Sequence, residues 1–209
     1  MIKAQLIPAF LVTIVLTVLC GLGFPILVGM LGQAFFPYQA NGSLIVRDGR
    51  VVGSELIGQA FHSEQYFHGR PSAAGAGYDA LASGGTNLGP TSRKLILGNA
   101  DDPATPDTDE SYNGITDLAL EYRRENGLDP EVPLPADAVT HSGSGLDPHI
   151  SPRNAELQLL RVARARKLAP EEVRRIVRDH TVNRFLGIFG DPGVNVLAVN
   201  LELDRLAQR

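Results

Sequence analysis

The feature that most limits how this chain can fold is an uninterrupted apolar run near its N-terminus. The 23 residues 9–31 carry no charge, and among them only Thr13 and Thr17 are hydroxylic. At 1.5 Å rise per residue, a helix of this length crosses a hydrocarbon core about 30 Å thick. Aliphatic side chains near the middle of an inserting helix contribute roughly −0.3 to −0.6 kcal/mol each, so insertion is favourable. A single transmembrane helix is therefore predicted over about 8–31, with Pro8 in its first turn and Pro25 kinking it. The alternative is a cleaved signal peptide with Gly32-Gln33-Ala34 as its small-x-small site. The run, however, is far longer than the roughly 7–15 apolar residues of a signal sequence. Lys3 is the only charged side chain before Arg47. The positive-inside bias then puts the N-terminus in the cytoplasm and the remainder outside. Small or kinking residues recur at four-residue steps: Thr13, Thr17, Gly21, Pro25 and Gly29. Such a row admits a second membrane helix at close range, although Gly and Thr are also common in membrane helices that pack against nothing.

Bulk averages hide this segment. A net charge of −4 and a mean hydropathy of −0.01 describe an ordinary globular chain and supply no basic surface for nucleic acid. One cysteine, Cys20, excludes an internal disulfide framework and a cysteine-rich metal site. The chain is divided into an N-terminal segment, 1–36, and an extracytoplasmic soluble domain, 37–209. The latter, about 170 residues, is long enough to bury about 70% of its unfolded surface as one domain.

That domain reads as mixed α+β. Ser43-Leu-Ile-Val46 and Val51-Val52 flank an Asp48-Gly49 turn, a hairpin signature. Ile115, Leu118, Ala119 and Tyr122 repeat at helical spacing, and Gly127 closes that helix. Ser151-Pro152 opens a helix to about Lys167 with Ala155, Leu159, Val162 and Ala163 on its apolar face. A second helix from Pro170 to about His180 buries Val173, Ile176 and Val177, and Val194 through Val199 reads as a buried strand before a short terminal helix. Charge is segregated: residues 101–147 hold twelve acidic side chains against Arg123 and Arg124, and residues 153–184 hold nine basic against four acidic. Solvated faces account for this segregation, as would a recognition surface. Residues 101–110 read as a mobile loop.

The chain lacks the usual catalytic signatures. None of its lysines, Lys3, Lys94 and Lys167, sits in a phosphate-binding P-loop. His62, His68, His141, His149 and His180 show no metal-ligand spacing. His141, Ser144 and Asp147 are neighbours in sequence, which a turn explains better than a catalytic triad. No catalytic residue and no metal site is assigned. Two glycine-rich segments stand out: Ser83, Gly84, Gly85, Thr86, Asn87 and Gly89 in the first, and Ser142, Gly143, Ser144, Gly145 and Asp147 in the second. Consecutive N–H groups in glycine turns can cradle an anion, and the same residues also build tight turns that cap their own backbone.

Taken together, Leu56-Ile-Gly-Gln59, Tyr66-Phe67, Arg70-Pro-Ser-Ala73, both glycine-rich segments, Arg161-Val-Ala163, Val194-Asn-Val-Leu197 and Asn200-Leu201 closely resemble the KdpC subunit family of bacterial high-affinity potassium-transporting P-type ATPases. The resemblance runs in family order along almost the entire chain. It implies a non-catalytic accessory subunit, which stabilises an ATP-driven potassium uptake complex in the bacterial inner membrane. The implied partners are a channel-like potassium-binding subunit, a P-type subunit that hydrolyses ATP, and a small single-span subunit. ATP and K+ would be handled by the complex, with no cofactor assigned to this chain. The family is also proposed to raise the pump's affinity for ATP, through likeness of Leu81-Ala-Ser-Gly-Gly-Thr86 to the signature loop of ABC transporters. A domain outside the cell meets little ATP, so the expectation here is instead that it covers the outer face of the potassium-binding subunit. The competing expectation is an independent anchored domain that binds or hydrolyses a substrate of its own.

Overall fold

The computed structural model describes residues 2–99 and 111–207, so the loop expected over 101–110 lies outside the described residues. Packing divides the chain into two compact units, Met1–Ser54 and Glu55–Arg209.

In the first unit, helix α1 (Ile2–Leu16), a π-helical stretch (Thr17–Gly23) and helix α2 (Phe24–Phe35) follow one another without a break. Gln5–Phe35 is the one segment among the described residues long and apolar enough to cross a membrane. Pro8, expected in the first turn, lies inside α1 instead, because the helix already begins at Ile2. The disturbance expected at Pro25 takes the form of altered winding ahead of it. Proline has no N–H, and in α geometry its ring strikes the carbonyl four residues back. Here Phe24 N–H reaches Leu19 O, five residues back, which is the π pattern. A four-residue step in an α-helix overshoots a full turn by about 40°. The wider π winding takes up part of that drift, and a Cβ on Gly21 would lie 3.9 Å from Thr17 Cγ2. Thr13 donates its hydroxyl to Ala9 O at 2.9 Å, so it needs no partner from lipid. The helix ends at Phe36, the residue before Pro37, where α geometry is disfavoured. Helix α3 (Pro37–Ala40) and the hairpin β1 (Leu44–Arg47) and β2 (Arg50–Ser54) complete this unit. Asp48 and Gly49 both have positive φ, 49° and 74°, the two-residue turn whose twist suits a hairpin.

The second unit contains helices α4 (Arg93–Leu97), α5 (Ile115–Asn126), α6 (Pro152–Arg166), α7 (Pro170–Asp179) and α8 (Val196–Ala207). Strands β3 (His149–Ile150), β4 (Thr181–Val182) and β5 (Gly193–Asn195) form a small antiparallel sheet in the order β3-β5-β4. The expected faces are inside: Ala155, Leu159, Val162 and Ala163 of α6 meet Val173, Ile176 and Val177 of α7, together with Phe67, Val199 and Leu203. Both predicted helix starts hold. Ser151 accepts from Asn154 N–H to cap α6, and Glu171 and Glu172 complement the dipole at the start of α7.

The strand expected through Val199 stops at Asn195. The Asn195 carboxamide accepts from Ala198 N–H at 3.0 Å, as a helix N-cap does, and Val196 N–H is taken by Pro148 O. Capping and burial of Val199 and Leu203 along one helical face outweigh the β preference of the valines.

Residues 58–74 contain no helix and none of the named strands, yet Phe67 is 1% exposed. Side chains take the place of a neighbouring strand. The Asn200 carboxamide accepts from Phe67 N–H at 2.8 Å and donates to Phe67 O at 2.9 Å. Gln158 does the same for the next residue, accepting from His68 N–H at 2.7 Å and donating to His68 O at 3.0 Å. Arg161 Nη1 donates to the carbonyls of Glu64 and Tyr66, and Arg166 Nε to that of Gln65. The extended chain is thereby held between α6 and α8.

Asn200→Leu would strip both partners from a buried peptide group. A loss of about 3 kcal/mol in stability is expected, read as a lowered melting temperature of the detergent-solubilised chain. Arg124→Gln, in an exposed pair with Glu121, should stay within about 0.5 kcal/mol of wild type.

Candidate functional site: two interlocked glycine-rich loops

The two glycine-rich segments, about 60 residues apart in sequence, meet in space. Ser83 Oγ and Gly84 N–H both donate to Ser144 O, each at 2.9 Å. Gly145 lies at φ 68°, where a Cβ would stand 2.7 Å from Ala74 Cβ, Ala74 N and Gly84 O. Opposite it, a Cβ on Gly85 would stand 3.0 Å from Gly143 O. The loops touch backbone to backbone, and side chains at these positions would force them apart.

The remaining predicted residues close local turns. Ser142 is buried, receives Gly145 N–H on its carbonyl, and donates its own N–H to Pro71 O. Ser144 Oγ accepts from Leu146 N–H, and Thr86 Oγ1 from Leu88 N–H. Asn87 adopts a left-handed φ of 54°, and Gly89 O accepts from Ser92 N–H. Asp147 Oδ1 accepts from His149 N–H, while its Oδ2 receives Arg70 Nη1 at 3.1 Å.

A third segment locks the pair. Ser72 Oγ donates to Gly145 O at 2.6 Å and accepts from Ala74 N–H and Tyr78 N–H. Arg70 Nη2 reaches His141 O at 3.2 Å, and Tyr78 donates its phenol to Arg70 O at 2.7 Å. Burial, reinforced by the Asp147 carboxylate, pushes the Tyr78 phenol up to about 12, so it remains a donor at any physiological pH. Arg70 and Ser72 belong to the Arg70-Pro-Ser-Ala73 stretch. Tyr78 carried no motif signal in the sequence, and neither did Asn154 or Gln158. The latter two lie on α6 one helical turn apart, and Asn154 also receives the Tyr122 hydroxyl at 2.7 Å.

Beside this junction lies a depression of about 330 Å³, lined by His68, Arg70, Tyr78, Tyr122 and Glu125 among others. His68 Nδ1 stands 3.5 Å from a Glu125 oxygen, and hydrogen bonding to His68 holds the Glu125 carboxyl below its usual range. The His141 imidazole is held below its ordinary value of 6.5 by burial, then by the nearby Arg70 charge. His141 Nδ1 faces the Tyr112 hydroxyl at 3.3 Å, and Asp147 is committed to Arg70 and His149. The three sequence neighbours His141, Ser144 and Asp147 thus each have separate partners. The Gly84 amide, which an anion cradle would use, is already bonded to Ser144.

Residues 6–205 match the family described as KdpC, the c chain of a K+-transporting ATPase. The potassium-transporting ATPase KdpC subunit of Mycobacterium tuberculosis (strain H37Rv) is 48% identical over 204 residues, covering 98% of this chain and 100% of that protein. The KdpC subunit of Beijerinckia indica is 51% identical over 197 residues, covering 94% and 91%. That of Koribacter versatilis is 46% identical over 202 residues, covering 97% and 95%.

Gly145→Ala should cost about 2 kcal/mol, because its φ and three close neighbours all resist a Cβ. Gly84→Ala meets nothing within 4 Å and should leave stability within about 0.5 kcal/mol of wild type. Thermal melts of the two variants would check the contrast. His141 makes a further prediction. Its folded pKa lies below 6.5, so as pH falls through that value the unfolded chain takes up the proton first and stability declines. The drop in melting temperature between pH 7.5 and 5.5 should be smaller for His141→Gln than for wild type.

Proposed function

Because the chain belongs to the KdpC family of potassium-transporting ATPase subunits, we propose that it joins the complex with its N-terminus in the cytoplasm and its second unit on the outer side of the bacterial inner membrane. It is an accessory subunit in potassium uptake, associated with the membrane through one candidate helix. The observation that carries the orientation is the charge pattern around that helix. Lys3 lies just before it, and no other charged residue precedes Arg47. On this reading the domain covers the outer face of a channel-like potassium-binding subunit. A P-type subunit hydrolyses ATP on the opposite side, and a small single-span subunit packs within the membrane. ATP and K+ are handled by those partners, and this chain stabilises their assembly.

The internal bonding of the glycine loops supports a structural role for them. A nucleotide contact at Ser83–Thr86 would have to displace the two bonds to Ser144 O and open a backbone contact that no side chain fills. The row Thr13, Thr17, Gly21, Pro25 and Gly29 is the proposed packing edge toward a membrane helix of a partner.

Protease added to intact spheroplasts should digest the second unit and leave a short N-terminal fragment in the membrane. Full protection of the second unit, with digestion only after lysis, would reverse the orientation and bring the nucleotide role back.

A further inference from the structure

Between the membrane helix and the first strand, the chain doubles back on that helix. A Cβ on Gly32, in the last turn of α2, would stand 3.6 Å from Ala40 Cβ. The carboxamides of Gln33 and Asn41 bond each other in both directions, at 3.1 and 3.3 Å, and Asn41 Nδ2 also donates to Pro37 O at 2.6 Å. Ser43 N–H then returns to Tyr38 O, and Ser54 Oγ, at the end of β2, donates to Gly42 O. Helix α3 therefore brings the backbone back to the level of the last turn of α2 before β1 begins. Side-chain bonds hold the hairpin at that level.

The level corresponds to a depth in the bilayer. The helical run Gln5–Phe35 has 31 residues, about 46 Å at 1.5 Å per residue, against a hydrocarbon core of about 30 Å. The charge-free apolar stretch ends at Leu31, so Gly32 and Gln33 stand in the headgroup layer. Phe35, Phe36 and Tyr38, all exposed, add aromatic rings of the kind that settle at that depth. The hairpin springs from here with one apolar face uncovered. Leu44 and Val46 are two residues apart on β1 and Val51 pairs with Val46, so the three share a face, and they are 45%, 57% and 59% exposed. Ile45 and Arg47, on the opposite face, are half-buried. Arg47, Asp48 and Arg50 are the only charged residues from 4 to 54, leaving the turn with one net positive charge, the sign that anionic phosphates attract.

We propose, on the reading that Gln5–Phe35 spans the bilayer, that the Leu44, Val46 and Val51 face rests in lipid at the boundary between headgroups and acyl chains. The first unit then grips the membrane by a foot as well as by a rod. Aliphatic side chains gain by leaving water, and the carboxamide lock places them at the boundary in advance, so little ordering entropy is lost. The headgroup layer is hydrated, so the open edges of a two-stranded sheet keep water as a partner there, as they could not in the hydrocarbon core.

The chain contains no tryptophan, so a single introduced one reports only its own surroundings. Full-length Val46→Trp, reconstituted in vesicles of phosphatidylethanolamine and phosphatidylglycerol, should emit with a blue shift. A lipid carrying a nitroxide near the top of its acyl chain should quench it about twofold more strongly than one labelled near the chain end. Val51→Trp should behave alike, and Ile45→Trp, on the other face, should be quenched less. An unchanged melting temperature shows that each variant folds. Leu19→Trp, in the middle of the span, should respond instead to the deep nitroxide; if it does not, the spanning reading falls and the foot with it. With Leu19→Trp deep in lipid, quenching of Val46→Trp and Val51→Trp by aqueous acrylamide but not by lipid would overturn the foot alone. Protection from both quenchers would also overturn it, by assigning the face to protein, either the second unit or a second copy.

Discussion

Everything in the second unit depends on how the irregular stretch over 58–74 satisfies its backbone. An extended chain carried through a core presents N–H and C=O groups that must find partners or cost several kcal/mol. A sheet would supply them from another strand. Here Gln158 on α6 and Asn200 on α8 supply them from opposite sides, each carboxamide matching one residue's donor and acceptor at once. Arg161 and Arg166 take the carbonyls just before. The position of Phe67 in the core, the reach of Arg70 to Asp147 and the docking of Ser72 on Gly145 all follow from that clamp.

Residues whose signal is local were legible in advance. Ser151 and Pro152, Gly127, the Asp48-Gly49 turn and the apolar faces of α6 and α7 are governed by chain geometry within a few residues, and they sit where their spacing puts them. The failures are tertiary. Val194 through Val199 has the composition of a strand, but Asn195 caps a helix only because Pro148 and the core hold it in place. Asn154 and Gln158 are polar residues of α6 that an apolar pattern passes over, and they are buried at 0% and 1% exposure. No spacing rule announces that a polar side chain will face a peptide group 90 residues away.

The candidate site divides in the same way. The two glycine segments were visible as unusual composition, and the hydroxyls among them do cap neighbouring turns. Their mutual contact was not visible, since the space that Gly85 and Gly145 need is set by residues outside their own loops. Arg70 and Tyr78, which hold the junction from the side, lie in a segment with no periodic pattern at all. The segregation of acidic and basic residues likewise says little about contacts: Arg174 pairs with Glu156 and Glu171 close at hand, and Arg161 turns inward to the backbone.

The π-helical stretch ahead of Pro25 has a consequence for the whole first unit. It inserts one residue more per turn than the helices on either side can use, so it acts as a phase element in an otherwise regular rod. A residue deleted within Thr17–Gly23 would be absorbed by a return to α winding there, leaving the flanking helices close to their present faces, whereas a deletion within α2 has no such slack and would rotate everything beyond it by about 100°. The apolar length would shrink by at most about 1.5 Å in either case, so the rod would still span a bilayer, but only the deletion in α2 would present a different edge to its surroundings. Angular register along this helix is thus set separately from its length.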